Sequence, residues 1–263
     1  MQRPDVAQEI VEFYSRDYDE RARLTDRAHG RLEFLRSREL LRRFLPPAAE
    51  VLDVGGGPGT HARWLAEDGH RVHLIDPVPR HVSQAAAHGT FTTELGDARH
   101  LAQNDASVDA VLLLGPLYHL PLRADRIAAL DEARRVLRPG GLVAAAAISR
   151  HALLLDQMAT GRLTEQTPSG TDGIDATAAT GRTDNFTTAH FHAVGELRDE
   201  LVEVGFTGIE LFGVEGPGWT ILRGGFASEE EPLFASALTA ARITESDPAL
   251  QPASAHLLAF GRT

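Results

Sequence analysis

The sequence predicts an α/β fold: a mostly parallel sheet with helices on both faces. Three observations predict it. Short apolar runs of strand length alternate with helical patterns from about residue 50 to residue 150. The first run, Val51-Leu52-Asp53-Val54, ends in the glycine-dense turn Gly55-Gly56-Gly57-Pro58-Gly59 and leads into a helical pattern. The run Val108-Asp109-Ala110-Val111-Leu112-Leu113-Leu114 is apolar enough for a central parallel strand. A strand, a tight loop and a helix N-terminus form the place where such a sheet holds a nucleotide-like ligand.

In chain order, Val6, Ile10 and Phe13 recur at helical spacing, and so do Leu32, Leu35, Leu41, Phe44 and Leu45. Pro46-Pro47 ends the second of these helices. After the glycine turn, Thr60 is expected to cap a helix whose apolar face is Ala62, Leu65 and Ala66. Arg71 to Ile75 alternates as a strand and ends in Asp76-Pro77, and a third unit supplies Gly96-Asp97-Ala98-Arg99. The long apolar strand stops at Gly115-Pro116-Leu117-Tyr118-His119-Leu120. Ile127, Leu130, Ala133, Val136 and Leu137 line one helix face, and Pro139-Gly140-Gly141 turns the chain into a strand from Leu142 to Ile148. His151 to Gly161 reads as a helix, and Leu163 to Thr183 is rich in Thr, Gly, Asp and Ser, a composition that stays mobile unless held. Phe186 to His192 alternates, and Ala193 to Val204 is a helix ended by Gly205. A strand at Ile209–Val214, a helix from about Glu229 to Ile243 and a last strand at Ala255–Phe260 complete the chain.

The glycine spacing narrows the ligand. Dinucleotide sites favour G-x-G-x-x-G, whereas Gly55, Gly57 and Gly59 give G-x-G-x-G, with Thr60 where the third dinucleotide glycine would stand. With Asp53 two residues before it, the pattern D-x-G-x-G-x-G resembles motif I of the class I methyltransferases that use S-adenosylmethionine. The resemblance extends through Asp76, the Gly96-Asp97-Ala98 unit and the Leu137-Arg138-Pro139-Gly140-Gly141-Leu142 segment, and it covers about residues 50 to 150. A carboxylate suits a ligand that has an ammonium group and no phosphate. The resemblance implies a Rossmann-like sheet of seven strands whose antiparallel last strand inserts beside its neighbour. It implies S-adenosylmethionine as cofactor and S-adenosylhomocysteine as product. Asp53, Gly55, Gly57, Gly59, Asp76, Pro77, Asp97, Ala98, Leu114 and Gly115 would hold it, with Asp76 against the ribose hydroxyls and Asp97 against the adenine amino group. One methyltransferase domain over 1–263 is expected, with a helical cap at 1–47, a cofactor half at 48–150, a lid insert at 151–193 and a C-terminal sheet half at 194–263.

Composition excludes several chemistries. The formal net charge of −11 makes DNA and structured RNA poor substrates. The absence of cysteine removes disulfides, zinc–thiolate sites and a thiol nucleophile. No signal peptide or membrane span is read, and a cytoplasmic location is expected. Base-amine and glutamine methyltransferases carry an Asn/Asp-Pro-Pro-aromatic sequence after the fourth strand; this chain has Leu114-Gly115-Pro116-Leu117. Catechol-type enzymes hold a divalent ion with an acid there, so no metal in catalysis is expected.

The expected reaction is in-line attack of a substrate O, N or C on the methyl group, helped mainly by proximity and alignment. The acceptor is a small organic molecule, an aromatic or indole-type natural product among the candidates. A general base near neutral pKa helps a hydroxyl or indole nucleophile, and His119, just past the fourth strand, is the first candidate. Tyr14 and Tyr18, with Glu20 and Arg21, are second candidates from an N-terminal helix that would close over the site. His190 and His192 share one face of an extended segment; substrate contact and a metal lacking a named third ligand are both open readings. Glu215 and Trp219 could line the same cavity, although such a tryptophan commonly only packs, and the remaining histidines are expected at the surface. The alternatives are a non-methylating cofactor-binding regulator and a nucleotide-dependent oxidoreductase. Monomer and homodimer are both open.

Overall fold

Strand β1 (Glu50–Val54) pairs in parallel with β2 (Arg71–Asp76) on one side and with β4 (Val108–Leu113) on the other. The structure is a computed structural model and describes residues 24–163, 177, 182–183, 189–224 and 232–263. Strand β3 (Thr92–Leu95) adds in parallel to β2, and β5 (Leu137–Ser149) to β4. The last strand, β9 (His256–Arg262), runs antiparallel between β5 and β8 (Thr207–Gly213). The order β3-β2-β1-β4-β5-β9-β8 reverses direction between β1 and β4, which opens a crevice at the carboxyl ends of the strands. This is the seven-stranded, mostly parallel sheet with an antiparallel insertion that the family resemblance implied. The insert supplies two further strands. Strand β7 (Ala189–His192) pairs with Ile148 and Ser149 at the end of β5, and β6 (Arg182–Thr183) pairs antiparallel with β7.

The sheet is buried on both faces because side chains alternate across the pleat. Leu52, Val111, Leu113, Val143 and Ala145 pack against helices α4 (Arg123–Val136) and α6 (Val194–Val204). Val51, Leu74, Leu112, Leu142 and Ala144 pack with Leu65 of α2 (Thr60–Glu67) and with Leu40 and Leu41 of α1 (Ala28–Phe44). Helix α3 (Pro79–Ala86) follows β2, and α5 (Ala152–Ala159) follows β5. A third cluster joins Leu32 of α1 to Trp219 and Leu222 of α7 (Trp219–Arg223) and to Phe234 and Ala237 of α8 (Pro232–Thr244). Ion pairs of Arg36 and Arg43 with Glu245, and of Arg242 with Glu39, tie α1 to the end of α8. Helix α1 is thereby fastened to the C-terminal half of the chain.

Three local expectations are corrected. Thr60 is the first residue of α2 and makes no capping bond; Gly59, at φ 89°, occupies the N-cap. Strand β5 begins at Leu137 rather than Leu142, because Leu137 already pairs with Val108 before the register shifts. The surface assignment fails for His81, which is 5% exposed and sits 3.2 Å from an Asp76 oxygen. Helix α1 holds the expected Leu32, Leu35 and Leu41, whereas Val6, Ile10, Phe13, Tyr14, Tyr18, Glu20 and Arg21 lie outside the described residues, as does most of Leu163–Thr183.

Candidate functional site

The glycine turn is shaped by what it must approach. Gly55, Gly57 and Gly59 all have positive φ, at 70°, 57° and 89°. At Gly55 a Cβ would lie 2.7 Å from Cγ of Pro116, so the turn after β1 touches the turn after β4. The Gly55 amide donates to the Ile75 carbonyl at 2.7 Å, which pins the turn to the end of β2 as well. Three consecutive carboxyl ends of the sheet are locked together around one concavity.

Asp53 is 1% exposed, and its Oδ2 has no hydrogen-bond partner. Burial first, and the facing Asp76 second, push its carboxyl up to about 7. A buried polar atom left without a partner is costly, and a ligand cation would satisfy it. Asp76 is differently employed. Its Oδ2 accepts the Gly57 amide at 2.8 Å and its Oδ1 accepts the Val78 amide at 2.9 Å, so it braces the glycine turn from the end of β2. Asp97 accepts the Arg99 amide at 2.8 Å and is gripped by the Arg99 guanidinium at 2.6 Å. Burial opposes its ionisation, but those Arg99 bonds prevail and hold its carboxyl below the usual range.

A single cavity is lined by Asp53, Gly55, Gly57, Asp76, Pro77, Asp97, Ala98, Leu114 and Gly115. These nine of the ten expected cofactor residues therefore converge. Gly59 stands just beneath, where a Cβ would meet the Phe91 ring at 2.7 Å. His119, on the 3-10 turn Pro116–His119, also lines the cavity, 8% exposed and with its ring 4.8 Å from that of Tyr118. Tyr118 donates to the Leu114 carbonyl at 3.2 Å, which closes that turn.

On the opposite wall only Glu215 and Trp219 were anticipated, and neither lines the cavity itself. Glu33 and Ser37 of α1, Val214 after β8, and His256 and Leu258 of β9 face the same space. Antiparallel insertion puts the first residue of β9 opposite Ile148, at the carboxyl edge of the sheet. Glu215 follows β8 at that same edge, 2% exposed, with one carboxylate oxygen 2.5 Å from His256 Nδ1. Glu33, Glu215 and His256 each bring one metal-capable atom within 4.8 Å of the other two. Trp219 packs into the third core cluster and donates from Nε1 to the Ala253 carbonyl at 3.0 Å.

His190 and His192 do not line this cavity; both are buried. His190 Nε2 is 2.7 Å from Glu196 and His192 Nε2 is 3.3 Å from Glu200. Burial lowers the His192 pKa. For Glu196, burial raises the pKa, but the His190 hydrogen bond and charge outweigh it and bring the carboxyl to about 2. Arg126, 1% exposed, reaches Glu200 at 2.6 Å and the carbonyls of Leu120 and Pro121 at 3.1 and 3.2 Å. The histidines thus belong to an ion network that ties the His119 turn to α6. Pairwise spacing of two histidines carried no signal for this, because their partners lie on another element.

Residues 51–141 match the family described as methyltransferase domain. A ubiquinone biosynthesis O-methyltransferase of Xylella fastidiosa is 35% identical over 108 residues, 39% of this chain and 43% of that protein. A tRNA 5-carboxymethoxyuridine methyltransferase of Escherichia coli is 32% identical over 126 residues, 44% of this chain and 46% of that protein. The chain spans less than half the length of these curated relatives. Among solved structures, a Thermotoga maritima methyltransferase described as a possible histamine N-methyltransferase superposes with a TM-score of 0.61. It is 19% identical over 98% of each chain, a likeness of fold.

Proposed function

We propose that this chain, whose residues 51–141 form a class I S-adenosylmethionine-dependent methyltransferase domain, transfers the methyl group of S-adenosylmethionine to a small organic acceptor. S-adenosylmethionine is the cofactor of this domain. The observation that carries the reading is the orphaned, buried Asp53 oxygen facing a cavity built from the glycine turn. Asp53 would take the ammonium group of the ligand, and Gly55, Gly57 and Gly59 would let the backbone come close. Asp76 and Pro77 would border the ribose, Asp97 and Ala98 the adenine, and Leu114 and Gly115 the methionine end. When bound, the cofactor supplies a methyl group already activated as a sulfonium, and the protein's task is alignment and water exclusion.

The wall beyond the cofactor residues supports a small acceptor. It contains apolar Leu120, Val214 and Leu258 beside two histidines, His119 and His256, either of which could receive an acceptor proton. The formal net charge of −11 favours a small molecule over a polynucleotide, although one relative acts on tRNA. Among the described residues no helix is long and apolar enough to cross a membrane. The cap at 1–47 and the insert at 151–193 would complete the pocket in one domain.

Calorimetry with S-adenosylhomocysteine tests the cofactor site. Asp53 must be deprotonated to pair with an ammonium group, and its ligand-free pKa is raised to about 7. Affinity is therefore expected to level off above that pH and to fall by up to about tenfold per pH unit below it. Asp53→Asn should bind weakly at every pH and lose the dependence. Wild-type affinity that stays constant through this range would refute the assignment of Asp53. Labelled S-adenosylmethionine offered with phenols, amines and indoles then tests transfer itself; cofactor binding without label transfer across that panel would favour the regulatory reading.

A further inference from the structure

We propose that His256, oriented by Glu215, is the proton-accepting group of the acceptor subsite, and that the acceptor reacts through an O–H or N–H group. The inference rests on the methyltransferase reading and deepens it.

The hydrogen bonds around Glu215 set the direction of every proton. The Ser254 hydroxyl accepts the amides of Glu215 at 2.9 Å and Gly216 at 3.2 Å, so its own proton is left for Glu215 Oε2, at 2.7 Å. The same Oε2 accepts the His256 amide at 2.9 Å. Glu215 is therefore an acceptor throughout, and the 2.5 Å contact of its Oε1 with His256 Nδ1 places the imidazole proton on Nδ1. Glu33 of α1, 3.8 Å from the same nitrogen, reinforces that choice. With Nδ1 protonated, the lone pair of the neutral ring lies on Nε2. A carboxylate that fixes tautomer and ring orientation, and that stabilises the imidazolium once formed, is the arrangement that makes histidine an effective base. His119 lines the same cavity with its ring against Tyr118.

The step balances. The acceptor proton passes to Nε2 while the heteroatom lone pair forms the bond to the methyl carbon. The carbon–sulfur pair returns to sulfur. The products are the methylated acceptor, S-adenosylhomocysteine and an imidazolium whose proton leaves to solvent. His256 touches the reacting atoms; Glu215 positions it.

Diethyl pyrocarbonate, which acylates a basic imidazole nitrogen, tests this on the whole protein before any acceptor is known. Peptide mass mapping near pH 7 is expected to find His256 modified, with exposed His151 as the internal reference. Glu215→Gln should slow that modification by about fivefold or more and Glu215→Asp should restore much of it, as expected when tautomer and orientation are lost and regained. With the acceptor returned by the labelled panel, His256→Asn should lower kcat by about 100-fold with little change in KM, and His119→Asn should cost less. An unmodified His256 in protein that still binds S-adenosylhomocysteine overturns the inference, and so does full turnover by His256→Asn. Transfer to carbon or thioether nucleophiles alone overturns the acceptor class. Wild-type protein that fails to bind S-adenosylhomocysteine overturns the methyltransferase reading instead.

Discussion

Gly55→Val is expected to weaken S-adenosylhomocysteine binding by about 100-fold or more, a loss of about 2.7 kcal/mol. Two independent physical effects act at this position. Its φ of 70° is one that a β-branched residue adopts only under strain, of order 1–2 kcal/mol. A Cβ there would also meet Pro116 Cγ at 2.7 Å and Cδ at 2.8 Å, closer than carbon atoms pack. Relief requires the turn after β4 to retreat, and that turn carries His119 and borders the cavity. Gly69 is the control. Its φ is 91°, yet no atom lies within 4 Å of a Cβ placed there. Gly69→Ala should cost some stability and leave binding unchanged. Calorimetry on the two variants separates backbone strain from loss of the cradle; Gly55→Val affinity within threefold of wild type would contradict the role of the turn.

Arg126→Met should lower stability by about 3–5 kcal/mol, the range found when one partner of a buried pair is removed. Glu200 is fully buried and faces Arg126 through three contacts of 2.6 to 3.1 Å. Without the guanidinium, its remaining side-chain partners are His192, whose pKa burial lowers, and the half-exposed Arg123 at 4.0 Å. The Leu120 and Pro121 carbonyls would lose their donor as well. For a chain of this size, about 2–4 °C of melting temperature accompanies each kcal/mol, so a fall of about 10 °C is expected by calorimetric scan. Replacing Arg126 and Glu200 together by apolar residues should recover part of the loss, because the unpaired charge disappears. A single variant that melts with the wild type would show that the network is not stabilising.

The cofactor half was legible because its information is local. Strand, turn and helix follow one another within residues 51–67, and the side-chain period of each element is written in its own residues. Asp53, Gly55 and Gly57 therefore arrive at the cavity wherever the rest of the chain goes, provided the strands are parallel. Thr60 was misplaced by one position because Gly59 in the left-handed region already ends the turn. His190 and His192 were misread because a shared strand face says nothing about the element packed upon it; Glu196 and Glu200 of α6 claim both rings. Trp219, expected to pack, does so.

The sequence by itself determined the Gly-rich turn, its preceding acid and the order of the α/β units, and the family resemblance they carry implied an antiparallel last strand. Only the tertiary structure decided the far wall of the cavity. Glu215 and His256 are 41 positions apart and meet because β9 threads between β5 and β8, which brings its first residue to the carboxyl edge. Glu33 joins them because α1 is fastened to α8 through Glu245. The physical reason is the range of the interactions. Turn conformation and side-chain periodicity are set by neighbours along the chain, whereas the tautomer of a histidine and the partner of a buried carboxylate are set by whatever the fold brings within about 3 Å.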